Sequence, residues 1–160
     1  MIPGPQIARA LADLGVTHVI WVPSSGIGAW ERALDEAPQF RLLRVCREGE
    51  AWPLAAGLIL GGKRPLLMMQ TTGLFESGDA LRNVLFDMQL PVFAVVGYRG
   101  YLIEGSTDSA RRFAEPLLDA WGLDWTLAIP DDEADALARH YRWCQAAGKP
   151  GVVLVGEGMR

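Results

Sequence analysis

The sequence has only two histidines and two cysteines in 160 residues, and that scarcity narrows its chemistry at once. Cys46 and Cys144 stand alone with no C-x-x-C spacing, so neither a zinc site nor a disulfide framework is signalled. His18 falls within a predicted strand and His140 in mid-helix, away from the strand ends where a Ser-His-Asp or Cys-His site is built. Cys46 lies at a strand end without a histidine to activate it, and reads as a small buried core residue. No apolar run approaches the ~18 residues of a membrane span. The start, Met1-Ile2-Pro3-Gly4-Pro5, has no basic segment followed by an apolar one, so no secretory signal is read. The expectation is a cytoplasmic chain without membrane contact. Fifteen Lys and Arg against nineteen Asp and Glu leave a formal charge of −4, which argues against nucleic acid as a partner.

What the chain does have is a hydrophobic half, enough for a core of one domain over residues 1–160. Its pattern alternates. A helix is predicted over Pro5–Leu14 with a Gly15 stop, a strand over Val16–Val22, a helix over Ile27–Glu36 and a strand over Phe40–Cys46. A helix over Gly49–Leu60 follows, then a strand over Pro65–Gln70, apolar on both faces, a helix from Thr71 to about Asp87, and a second such strand over Pro91–Gly97. After a polar loop over Tyr98–Thr107 come helix Asp108–Gly122, strand Trp125–Ile129, helix Pro130–Ala147 and strand Gly151–Val155. Alternating strands and helices joined by short links predict an α/β fold, a doubly wound, mostly parallel sheet with helices on both faces. Ligands in such folds bind beyond the carboxyl ends of the strands, which selects Pro23–Gly28, Arg47–Glu50, Gln70–Ser77 and Gly97–Gly105.

Several short motifs compete there. Gly26-Ile27-Gly28, with Glu48 20 positions further on, has the outline of a dinucleotide fingerprint, but Glu31 replaces its third glycine. Gly57–Lys63 spaces like a phosphate loop, but Arg64 replaces the Ser/Thr, and these residues end a helix rather than open one; they read as a C-cap. Glu48 and Glu50 open a helix, where acids favour the positive end of its dipole, or else one of them is a carboxylate in the crevice available for a proton. Position favours Glu48, the one nearer the strand end. Pro53, early in that helix, is expected to be nearly free of cost.

The linked set Glu48-Gly49-Glu50-Ala51, Leu54-Ala55-Ala56-Gly57, Gly62-Lys63-Arg64-Pro65 and Met69-Gln70-Thr71-Thr72-Gly73-Leu74, followed by Gly97-Tyr98-Arg99-Gly100, resembles the thiamine diphosphate-dependent decarboxylases of 3-substituted pyruvates. That group includes phosphonopyruvate decarboxylase and the alpha subunit of sulfopyruvate decarboxylase. The resemblance covers only the pyrimidine-binding half. Gly-Asp-Gly is absent, since Ala80 follows Gly78-Asp79. It therefore implies a two-chain enzyme in which a diphosphate-binding beta subunit carries Gly-Asp-Gly and a downstream Asn and holds Mg2+, in a hetero-oligomer with at least two copies of each chain. No metal ligand is implied in this chain.

By motif position the resemblance makes Glu48 the catalytic carboxylate that bonds to the cofactor's pyrimidine N1′ and favours its imino tautomer. It places Gln70, Thr71, Thr72, Gly73 and Leu74 with Glu48 at the cofactor, and Ser24, Ser25 and Arg99 at a small 2-oxoacid substrate. Trp52, Met68, Met69 and Leu74 would line an apolar site or simply fill the core. The chain departs from the pattern at Ser24, where Asp is frequent, at Thr71-Thr72 in place of Asn-Ser, and at Phe75-Glu76 in place of Gly-Asn. A negative Glu76 is expected to repel a phosphonate or sulfonate, pointing to a different 3-substituent. A dinucleotide-binding domain and a non-catalytic partner subunit that kept the fold are the competing readings.

Overall fold

A computed structural model describes residues 2–130 and 132–158. Six parallel strands form one sheet in the order β2-β1-β3-β4-β6-β5. They are β1 (His18–Trp21), β2 (Arg41–Arg44), β3 (Pro65–Gln70), β4 (Phe93–Tyr98), β5 (Trp125–Ala128) and β6 (Gly151–Gly156). The helices are α1 (Gly4–Asp13), α2 (Glu31–Asp35), α3 (Glu48–Leu60), α4 (Thr71–Glu76), α5 (Gly78–Arg82), α6 (Ser109–Ala120) and α7 (Glu133–Ala147). The doubly wound parallel α/β fold is as the sequence predicts.

Side chains of the central strands alternate between two cores, the period-2 rule of a sheet covered on both faces. Val19, Trp21, Leu66, Met68, Phe93, Val95, Val153 and Val155 join α1, α2 and α7. Ile20, Leu67, Met69, Ala94, Val96, Val152 and Leu154 join Trp52, Ala55, Leu74, Leu81 and Leu118 on the other face. Each fully buried Leu, Ile or Val contributes roughly 1.5–3 kcal/mol.

The departures from expectation have local causes. The edge strands β2 and β5 are shorter than predicted, four residues each. Beyond β2, the Cys46 N–H turns to the Glu50 carboxylate (3.2 Å), and Cys46 is exposed rather than buried. The helix expected over Ile27–Glu36 begins as a 3-10 turn over Ile27–Trp30. The helix expected from Thr71 to Asp87 is interrupted. Ser77 Oγ donates back to the Gly73 carbonyl (2.6 Å), a bond that bends helices, and Asn83–Asp87 is a π-helical turn. Pro53 is the sixth residue of α3, so it does carry a cost: it has no N–H to give the Gly49 carbonyl. The last long helix starts at Glu133; Asp131, in its expected first turn, lies outside the described residues. Among the described residues no helix is long and apolar enough to cross a membrane.

Candidate functional site

The strand order reverses at β1, which β2 and β3 flank, and the crevice beyond the carboxyl ends of β1 and β3 is the switch point where such sheets bind ligands. Three segments converge there: the loop after β1 with Ser24 and Ser25, the start of α3 with Glu48, and the β3–α4 junction with Gln70–Gly73.

Arg47 is extended (φ −141°, ψ 145°), and Glu48 follows as the first residue of α3. Its half-buried side chain crosses to the first turn of α4 and lies on Gly73. A Cβ at Gly73 would stand 2.3 Å from Glu48 Cγ and Oε1 and 2.5 Å from Cδ. Only glycine leaves room for this carboxylate. Glu50 goes the other way, back to the Cys46 N–H, in the manner of a capping acid.

Glu76 does not stand as a free negative charge. Its carboxylate accepts the Gly49 N–H (2.8 Å) and pairs with Arg47 Nη2 (2.5 Å). Those contacts, the Gly49 bond first, hold it below the ordinary glutamate range against a small opposing effect of burial. It thereby closes the start of α3, which has no side-chain cap of its own. The Glu76 charge is balanced locally by Arg47 and the Gly49 N–H, partners that the sequence did not reveal.

The other expected residues divide. Gln70 Nε2 lies 3.5 Å from Ser25 Oγ, joining the β3 end to the β1 loop. Ser24 Oγ is buried with no hydrogen-bond partner among the described residues. Thr72 is exposed on α4. Thr71 is fully buried; its hydroxyl donates to the Gly97 carbonyl (2.7 Å) and accepts the Arg99 N–H (3.3 Å), strapping β3 to β4. Leu74, Trp52, Met68 and Met69 are buried in the core. Arg99 Nε pairs with Asp108 (2.9 Å), which also caps α6 through the Ala110 N–H. Gly78-Asp79 opens α5, with Asp79 paired to Arg82.

The residue that sequence reasoning missed is Glu157, directly after β6 and 2% exposed. Its carboxyl packs on Gly26 and Gly97, and burial pushes it above the ordinary glutamate range, the Ile27 N–H and the Arg99 charge opposing. The available signal was an acid at the carboxyl end of an all-apolar strand. It also occupies the space at Gly26 that a dinucleotide's pyrophosphate would approach, and no long helix starts there. Both histidines lie at the opposite end of the sheet. His18 begins β1, and His140 faces the Asp124 carbonyl just before β5.

No family model matches the chain. It is 32% identical over 152 residues to a phosphonopyruvate decarboxylase of Streptomyces viridochromogenes, spanning 92% of this chain and 37% of that protein. It is 28% identical over 115 residues to the sulfopyruvate decarboxylase subunit alpha of Methanocaldococcus jannaschii, spanning 71% of this chain and 68% of that one. The counterpart from Methanococcus maripaludis is 29% identical over 98 residues, 61% of this chain and 59% of its own length. Among solved structures, a benzoylformate decarboxylase from Polynucleobacter necessarius superposes with a TM-score of 0.73 at 19% identity, covering 100% of this chain and 32% of that one. A thiamine diphosphate-dependent 4-hydroxybenzoylformate decarboxylase of Rhodococcus jostii RHA1 gives 0.67 at 19% identity, covering 98% of this chain and 30% of that one. The chain is thus a homologue of phosphonopyruvate decarboxylase and of the sulfopyruvate decarboxylase alpha subunits, and it carries the fold found in thiamine diphosphate-dependent decarboxylases.

Proposed function

We propose that this chain is the pyrimidine-side subunit of a two-chain thiamine diphosphate-dependent decarboxylase acting on a small 3-substituted 2-oxoacid. The observation that carries the reading is the seating of Glu48 on Gly73: a carboxylate at a helix start, in the crevice at the switch point, with a glycine opposite to admit it. Its homologues' names supply the reaction class, and two of them are called alpha subunits.

The residues fit the group. A carboxylate is the side chain suited to a ring nitrogen that gains and loses a proton, and the crevice adds the buried Ser24 hydroxyl, which has no hydrogen-bond partner among the described residues. When bound, thiamine diphosphate supplies a nucleophilic carbon and an electron sink for the pair released with CO2. This chain's part is to hold the pyrimidine. Glu48 exchanges a proton at N1′, while Gln70, Thr72 and Gly73 form the adjoining wall. Thr71 and Leu74 act through the backbone they fix, because one spends its hydroxyl on Gly97 and the other is in the core. Ser24, Ser25 and Arg99 face the 2-oxoacid, with Arg99 exchanging Asp108 for a substrate anion. With Glu76 neutralised by Arg47 and the Gly49 N–H, a phosphonate or sulfonate substituent remains compatible with the site. Magnesium and the diphosphate fall to a beta subunit carrying Gly-Asp-Gly and a downstream Asn, in a cytoplasmic hetero-oligomer with at least two copies of each chain.

A tagged pull-down from the native cells, with mass spectrometry of what co-purifies, tests this. The expected result is a partner carrying Gly-Asp-Gly and a downstream Asn. Recovery of the chain alone contradicts the two-chain reading.

A further inference from the structure

Glu157 is a buried acid that the proposed chemistry does not use. Its main chain is fixed to the sheet end: the N–H donates to the Tyr98 carbonyl (3.1 Å) and the carbonyl accepts the Leu102 N–H (3.1 Å). Its carboxyl group sits between two glycines from different strands. A Cβ at Gly26 would stand 2.0 Å from Oε1 and 2.2 Å from Oε2, and one at Gly97 would stand 2.2 Å from Oε1. Oε1 has no hydrogen-bond partner among the described residues. The Ile27 N–H, the first of the 3-10 turn after β1, faces this carboxyl group and favours its charged form.

Glu157 therefore caps, from across the sheet, a turn that has no side-chain cap of its own. The segment so held is Pro23–Ile27, which carries Ser24 and Ser25 and touches Gln70. A buried polar atom without a partner is normally destabilising, and its retention calls for a compensating gain. Here the gain is a fixed loop.

We propose that Glu157 is a positioning residue: it pins the loop after β1 to the ends of β4 and β6, and so sets where Ser24 and Ser25 stand. Its catalytic consequence rests on the reading above, in which those serines face the substrate; the pinning itself does not. Glutamine preserves the pin, because its side-chain oxygen takes the Ile27 N–H in the same volume. Alanine removes it.

The pin also has a sign in pH. Burial favours the neutral carboxyl, so the loop is held most firmly below the raised titration range and loosens as pH climbs through it. The loop after β1 brings no titratable side chain between Pro23 and Gly28. The β4 end brings Arg99, paired with Asp108, and Tyr98, whose hydroxyl turns away to Glu115; the segment after it brings Tyr101, stacked on Tyr98.

The test is hydrogen exchange of the backbone amides of residues 24–28 in the full chain, for wild type, Glu157→Gln and Glu157→Ala. Glu157→Ala is expected to raise exchange at Ile27 roughly five- to tenfold, the loss of one buried hydrogen bond, with α1 and α7 unchanged and Glu157→Gln close to wild type. Wild-type protection in Glu157→Ala overturns the proposal. Should Glu157→Ala fail to fold, Glu157→Leu, which keeps much of the volume without an acceptor, decides: raised exchange at Ile27 relative to Glu157→Gln supports the pin, and equal protection in the two overturns the proposal. With a partner chain, Glu157→Ala should raise KM for the 2-oxoacid more than it lowers kcat. If the wild-type complex shows no turnover, the decarboxylase reading fails while the exchange result still judges the pin.

Discussion

In a Gly73→Ala chain the new methyl would have to occupy space already filled by Glu48, at 2.3 Å from Cγ and Oε1. Two opposing effects are calculable. Alanine in a helix gains about 0.5–1 kcal/mol over glycine from backbone entropy. Forcing an extra methyl against a packed side chain loses about 1–3 kcal/mol. The single mutant is therefore expected to be anywhere from neutral to about 2.5 kcal/mol less stable. In a Glu48→Ala background the clash is gone, and the same substitution should become stabilising by about 0.5–1 kcal/mol. The double-mutant cycle, read by urea unfolding of the isolated chain, should give a coupling of about 1–3 kcal/mol. Additive effects would refute the seating of Glu48 on Gly73. On the enzyme reading, relieving that clash displaces the carboxylate by about 1 Å, and a misplacement of about 1 Å reduces turnover about a hundredfold.

Other outcomes follow from the same contacts. Glu76→Gln should lower the thermal midpoint at neutral pH by removing the charge that pairs with Arg47 and strengthens the bond from the Gly49 N–H, which the amide oxygen still accepts more weakly. Because Glu76 is held below its ordinary range, that contribution is fully present above the usual glutamate range and is lost as pH falls through the lowered value, so the two melting curves should converge in acid. Leu74→Ala empties a fully buried core position and should destabilise by about 2–5 kcal/mol, a midpoint drop of roughly 2–4 °C per kcal/mol. A midpoint within one degree of wild type would mean that Leu74 is not core.

The central strands were legible because β3, β4 and β6 are apolar on both faces, and that pattern has few other solutions in a chain of alternating elements. The edge strands were less so, since β2 and β5 are half exposed and their ends are set by side chains such as Glu50. The bend at Ser77 and the π turn at Asn83 depend on where bonds return to the backbone, which composition does not encode. Within the site, motif position singled out Glu48 and Gly73 separately, but their contact needs β2 and β3 to flank β1. Glu76 was read as a charge without its Arg47 partner. Glu157 escaped notice because no spacing in the sequence links the end of β6 to Gly26 and Gly97; only the folded sheet brings them together.

The most direct measurement is CO2 release from sulfopyruvate and phosphonopyruvate by this chain reconstituted with its diphosphate-binding partner and thiamine diphosphate, wild type against Glu48→Gln. The account predicts turnover of a 3-substituted pyruvate by the wild-type complex and a fall of about 10²–10⁴-fold in Glu48→Gln with the complex still assembled. Equal turnover by the two complexes would contradict it.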